Sequence, residues 1–416
     1  MFDRYSKPIA NFSLRGLTMA CRFLLIIVLA KLFSPSEVGL FGLLSATVVI
    51  SQLLIGGEYY SYSQRELISM GKDRWSFVLQ HQVVALLLLY ALFLPLLASL
   101  FHWAVLPDNL LSWFYLILIL ESIAQELNRV MIAMQRQVTA SCILFCRHGL
   151  WVLCVLPYMW INPGSRSLDL IFSAWIVGCA IAIVLGLLMI KREVNHWRIW
   201  PLDAAWIKRG FKVSLLYFIG ALCFRALFTI DRYAVERLVG LDFLGVYVVY
   251  IGLAMTIVTV LDPLIFSFVY PKLIGLVRDK KQHDFKVTMV ELSKSTLKVS
   301  LVAMILVSFL APLVFDWIDK PFYTDNLPML WVLLAAAMGY ALSMVPHFGL
   351  YALNDDRSLL QAHVYSLILF LMCLLVFPYF IPTTQVAGAS LLAGFSCMGL
   401  LKAWFLKQHK LDISKI

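Results

Sequence analysis

Apolar positions in this chain do not alternate with polar ones; they come in long runs. A run of about 20 apolar residues crosses a bilayer as one helix, and such runs recur from end to end with short polar breaks. The pattern predicts spans at 10–33, 38–57, 78–104, 110–133, 139–161, 168–190, 212–236, 244–270, 296–318, 327–352, 359–380 and 385–406. Breaks such as 104–110, 162–168 and 381–385 leave no room for an external catalytic domain. Two polar stretches read as helices lying on a membrane surface. One is KREVNHWRIWPLDAAWIKRGFK from Lys191, which interleaves Trp197, Trp200 and Trp206 with basic residues. The other follows Lys272, with Phe285, Met289, Leu292 and Val299 near helical spacing, and reads as a surface helix feeding the next span.

Composition agrees with this. The chain is 62% hydrophobic and 14% charged, against roughly a quarter charged in soluble domains. Arg15 and Arg22 interrupt the first apolar run, so it is not a cleavable signal peptide. All 8 cysteines fall within apolar runs and read as small buried residues, not as a disulfide framework. Cys142 and Cys146 are one helical turn apart, but no histidine or carboxylate completes a metal set, so no metal or cofactor is expected.

The net charge of +10 could suggest nucleic acid. Its distribution argues otherwise. Most of the 34 basic residues fall at the termini and in alternate loops: Arg4, Lys7, Arg65, Lys72 and Arg74 early, Lys191 to Lys212 centrally, and Lys402, Lys407, Lys410 and Lys415 late. The opposite loops hold Lys31, Arg166, Arg232, Arg237 and Lys320. This bias predicts that both termini are cytoplasmic. No nucleic-acid partner is expected.

Two stretches nearly repeat. LAKLFSPSEVGLFGL, from Leu29, lies over VERLVGLDFLGVYVV, from Val235, so that Lys31 meets Arg237, Gly39 meets Gly245 and Phe41 meets Tyr247. Each covers the end of an odd-numbered span, an outer turn and the start of the next span. Six spans separate them, so the halves enter the membrane in the same direction, as a parallel repeat. The expected architecture is all-α and integral to the membrane: twelve transmembrane helices in two six-helix bundles, 1–190 and 212–416, joined by an amphipathic linker, 191–211.

Those stretches, with TIDRYAVERLVGLDFLGVYVV from Thr229 and the YPKL after Val269, resemble the polysaccharide transporter family. These are flippases of lipid-linked oligosaccharides, within the larger group that includes multidrug and toxin extruders. Asp231-Arg232, the Gly240/Gly245-Val246-Tyr247 turn and Pro271 match the family's second-half pattern. The resemblance implies export of undecaprenyl-pyrophosphate-linked repeat units, as in O-antigen and lipopolysaccharide biosynthesis, at a bacterial inner membrane. It also implies membrane lipids, a polysaccharide polymerase and a chain-length regulator as partners.

Charges inside spans are costly, at about 2.5–3.5 kcal/mol for a central arginine on insertion scales, and so mark candidate sites. Arg22 is central in the first span, Arg225 in the seventh and Arg147, beside His148, in the fifth; Glu121 is central in the fourth. Guanidinium groups form forked bonds to phosphate and keep their charge. The expected substrate contacts are therefore Arg22, Arg225, Arg147 and Glu121, with Gln52, Tyr59 and Tyr60 for the sugars. Arg22 and Arg225, at related places in the repeat, are expected on facing halves of one cavity. Asp262, Glu126 and Asp231 are the candidates for coupling or charge balance. Alternative readings stay open: Arg147 and Glu121 could simply neutralise each other, and the tyrosines could form an interfacial belt. Pro95, Pro157, Pro263 and Pro346 are candidate hinges, and Ala174, Gly178, Ala182 and Gly186 a packing stripe. Three functions compete: a flippase; a multidrug cation extruder, which would be expected to use an acidic cavity; and a membrane polymerase or acyltransferase, which would need a catalytic constellation. No phosphate-loop or GxSxG signature occurs, so no enzyme is expected.

Overall fold

The computed structural model describes residues 2–102, 106–194 and 197–412, with side chains from 10 to 409 within these ranges. Arg4, Lys7, Lys410 and Lys415 lie outside the described side chains, and residues 103–105 of the second outer loop and 195–196 of the linker lie outside the described residues.

Among the described residues, 12 helices are long and apolar enough to cross a membrane. They are Ala10–Leu32, Pro35–Gly56, Lys72–His102, Asp108–Ala133, Gln137–Ile161, Leu168–Glu193, Ala204–Val239, Leu241–Arg278, Gln282–Ile318, Leu327–Ala352, Asp356–Tyr379 and Thr383–His409. We call these spans 1 to 12. The chain has an all-α, multi-pass membrane architecture.

Local chemistry sets the breaks. Ser34-Pro35-Ser36-Glu37 opens span 2 as a reciprocal capping box. The Glu37 carboxylate accepts from the Ser34 backbone N–H (2.9 Å) and hydroxyl (2.7 Å), and Ser34 Oγ accepts from Glu37 N (3.3 Å). Pro35 stands in the first helical position, where its missing N–H costs nothing. Span 7 ends at Gly240, whose φ of 106° lies in the region that only glycine adopts freely. Spans 5 and 8 each contain a one-turn π-segment, Cys146–Leu150 and Asp262–Phe266. Pro263 explains the second, because it has no N–H for the regular ladder; the hydroxyl of Ser267 donates to the carbonyl of Asp262 (2.8 Å).

Three expectations change. First, the linker is not a surface helix. Span 6 ends at Glu193, the described residues from 197 to 203 are not helical, and span 7 starts at Ala204. Pro201 precludes a continuous helix, and Asp203 starts the next one by accepting from Trp206 N (2.9 Å). Second, the segment from Gln282 is the first part of one 37-residue helix, not a separate surface element. Third, Lys402, counted among the loop cations, is 1% exposed inside span 12.

The chain packs as two compact units. One comprises Met1–Val28 and Leu44–Leu222; the other comprises Leu29–Leu43 and Cys223–Ile416. The first has an aromatic core at one end. Tyr59, Tyr62, Phe77, Trp206 and Phe211 pack edge-on or tilted at 4.9–6.2 Å. The non-helical linker docks there. Gln80 brackets the backbone of Trp200 (2.8 and 3.0 Å), and His81 Nε2 accepts from Asp203 N (2.8 Å). The small-residue stripe of span 6 is a packing device: a Cβ on Gly178 would press on Trp151 and the Cys146 carbonyl, and one on Gly186 would press on Leu127.

In the second unit the two matched turns meet. A Cβ at Gly39 would strike the carbonyl of Leu241, and one at Gly245 would strike that of Pro35. Both glycines are needed because backbone crosses backbone there. Side chains tie the crossing. Asp231 accepts from the Tyr247 hydroxyl (2.6 Å), Arg232 donates to the Gly42 carbonyl (2.9 Å), and the ammonium of Lys320 donates to the carbonyls of Ala30 (2.6 Å) and Phe33. Burial, reinforced by nearby Lys31, holds the Lys320 ammonium below the usual lysine range.

Candidate functional site

The densest charge cluster of the first unit gathers on spans 1, 4 and 5. Glu121 is 3% exposed. Its Oε1 lies 3.3 Å from Arg147 Nε and 3.3 Å from His148 Nε2. Its Oε2 accepts from Trp175 Nε1 (3.1 Å) and the Cys179 thiol (3.0 Å). Neighbouring residues on a regular α-helix point apart. The π-segment turns both Arg147 and His148 toward Glu121, and Trp151 Nε1 satisfies the carbonyl of Arg147 (3.0 Å). Arg147 Nε also donates to His148 Nε2 (2.9 Å), which makes that nitrogen an acceptor. The contact of His148 with Glu121 is then not an ion pair.

The cluster is not fully satisfied. Among the described residues, Arg147 Nη1 is buried without a hydrogen-bond partner. Arg22, exposed on span 1, feels the charges of both Glu121 and Arg147. Two guanidiniums thus feel the field of one carboxylate, only Arg147 contacts it among the described residues, and the accessible group is a cation. Such an arrangement can receive an anion.

The other candidates fall elsewhere. Glu126 pairs with Arg129 (2.5 Å) and accepts from Gln82 (2.9 Å), so its charge is already balanced. The Arg129 guanidinium lies 3.6 Å from the centre of the Tyr60 ring. Gln52 is half-buried, and its buried Nε2 has no partner among the described residues. Tyr59 requires a correction. It is 0% exposed within the aromatic core, and so offers no ring face to a sugar and forms no interfacial belt. Burial pushes its hydroxyl well above the usual tyrosine range.

In the second unit Arg225 is half-buried on span 7, and Asp262 is exposed in its π-segment. Asp231 is 1% exposed and tied into the crossing of the two turns. That placement gives it a structural task.

Sequence reasoning missed one group. Lys402 of span 12 acts electrostatically on His347 of span 10, whose ring lies 6.3 Å from that of His363 in span 11, nearly parallel. Among the described residues no carboxylate forms an ion pair with Lys402. The signal was available: Met398 and Leu406, one turn to either side, are apolar.

The arrangement of twelve spans is that of the MATE transporters of the MOP superfamily, and the resemblance to solved structures covers nearly the whole chain. An outward-facing multidrug resistance MATE family transporter of that superfamily superposes with a TM-score of 0.61 at 12% identity, over 98% of this chain and 94% of that one. A MATE protein crystallised with MaD3S gives a TM-score of 0.62 at 12% identity, over 99% and 97%. A MOP superfamily transporter from Pyrococcus furiosus, described by the reverse polarity of its binding pocket and a suggested different function, gives 0.56 at 12% identity, over 99% and 95%. No protein-family model matches the sequence, and no curated protein matches it. At these identities the likeness establishes the fold.

Proposed function

We propose that this chain is a membrane transporter that moves an amphipathic anion, specifically an undecaprenyl-pyrophosphate-linked oligosaccharide, from the cytoplasmic to the periplasmic leaflet by alternating access. One observation carries the choice of cargo: Arg147 pairs with Glu121 while Arg22 feels the charge of that same carboxylate, Arg22 is accessible, and among the described residues Arg147 Nη1 has no partner. A pyrophosphate would supply the missing acceptors through charge-assisted bonds. Arg225 is proposed as a second phosphate contact, with Gln52 and Tyr60 as sugar contacts and Asp262 as a charge-balancing group. Tyr59 and Asp231 leave the list for the packing reasons above.

The second reading is a multidrug cation extruder. The solved relatives favour it more directly, because MATE proteins, including a multidrug resistance transporter, dominate them. Against it stands the polarity of the Glu121 cluster, where the acid is buried and the accessible group is Arg22; the exposed acid of the second unit is Asp262. The solved structure described by a reversed pocket polarity and a suggested different function supports the idea that this fold is not tied to one pocket polarity.

Purified protein in proteoliposomes separates the readings. The flippase reading expects a fluorescent polyprenyl-pyrophosphate sugar to cross, with Arg22→Ala slowing it about tenfold or more, the value of one charge-assisted bond, and Arg22→Lys recovering part. Transport of ethidium in place of the lipid, undiminished in Arg22→Ala, would establish the extruder instead.

A further inference from the structure

Spans 9, 10 and 12 of the second unit enclose a groove of about 840 Å³ that the transport reading does not use. Its lining includes Val290 and Ser293 from span 9, Ser343 from span 10, and Gly399, Leu400 and Lys407 from span 12. Small side chains leave it unfilled on the side of spans 10 and 12, where Gly399 lies against Ser343. Its rims face outward: Val290 is 53% exposed and Leu400 72% exposed. Ser396 adds a third hydroxyl; the rest of the lining is apolar and, among the described residues, none of it is acidic.

The charge lies at one end. Lys407 is in the lining itself, near the end of span 12. Lys286 is exposed one helical turn before Val290, on the same face of span 9 and near that helix's beginning. An apolar trough that ends in two lysines matches an acyl chain that ends in an anionic headgroup. We propose that this groove is a binding site for one anionic glycerophospholipid, with a chain along Val290, Gly399 and Leu400 and its phosphate held by Lys286 and Lys407. The site does not depend on which cargo the transporter carries.

The test uses the full chain in phosphatidylcholine nanodiscs, with spin-labelled phosphatidylglycerol or spin-labelled phosphatidylcholine as the probe and the motionally restricted fraction as the readout. Wild-type protein should prefer phosphatidylglycerol, and each of Lys286→Gln and Lys407→Gln should reduce the preference by up to about fivefold. The double variant should show none. Gly399→Leu, which fills the trough, should reduce the restricted fraction of both lipids. Circular dichroism and a thermal melt establish that each variant is folded. If Gly399→Leu does not fold, the lysine variants decide alone. Absence of preference in the wild type, or an unchanged preference in the folded double variant, overturns the proposal. Displacement of the label by polyprenyl phosphate, but not by excess unlabelled phosphatidylglycerol, assigns the groove to a prenyl chain and also overturns it.

Discussion

The two units bury charge in opposite ways. In the first, Glu121 collects Arg147, Trp175 and Cys179, and every oxygen of the carboxylate is satisfied. In the second, Lys402 is buried still more deeply, at 1% exposed against 3% for Glu121, but it acts on a histidine, His347, and among the described residues no carboxylate forms an ion pair with it. A buried ion pair is strongly destabilised when one partner is removed, because the other charge remains. A buried cation without a counter-charge has no such partner to lose. The difference teaches that a charge within a span is not one kind of object: its energetic sign depends on what the neighbouring helices supply.

Breaking the compensated cluster should give the largest effect. Glu121→Gln strands Arg147 and should cost about 3–5 kcal/mol, read as a lower unfolding temperature in detergent. Adding Arg147→Met should recover most of it. If the double variant melts as low as the single one, the pairing is not what holds this region. Lys402→Met should move the other way, stabilising by about 1–2 kcal/mol through removal of an uncompensated buried cation. A melting temperature that falls as far as that of Glu121→Gln would erase the contrast.

The smallest effect comes from a pair at the rim. Asp355 caps span 11 by accepting from Ser358 N (3.1 Å) and contacts His409 Nε2 at 2.5 Å. Partial burial pushes its carboxyl up, but the bonds from Ser358 and His409 outweigh this and hold it below the usual carboxylate range. Its contribution is therefore present above the unfolded value near ~3.9 and is lost as pH falls through the lower folded value. Because the pair is partly exposed, the contribution should be about 1 kcal/mol or less. Melts of wild type and Asp355→Asn across pH 2–6 should converge at the acid end; parallel curves would remove this pair from the account.

The spans were legible because a bilayer demands long apolar runs, and little else in the sequence can imitate them. The capping box at Ser34 and the helix-ending glycine at 240 are also local, but the predicted span ends do not rest on them. What a single sequence could not express was which groups would meet. Arg147 and His148 converge on Glu121 only because a π-segment lies between Phe145 and Trp151. Tyr59 reads as a sugar contact or part of an interfacial belt and Trp206 as an interfacial aromatic, yet they pack against each other across a large gap in the chain. Lys402 counts with the terminal cations by charge alone, although the predicted span 385–406 already contains it. Asp231 and Arg232 were legible as a motif, but their task of holding Tyr247 and Gly42 depends on a contact between distant turns.

That contact has a topological consequence. The chain enters the second unit at Leu29, leaves it after Leu43 and returns only at Cys223. The covalent midpoint and the packing boundary are therefore different places. A protease that nicked the non-helical linker near Pro201 would yield two fragments, each still threaded into the other's territory. The carboxyl-terminal fragment would keep hold of Leu29–Leu43 like a clasp on a strap, through Arg232, Lys320 and the two glycines where backbone touches backbone.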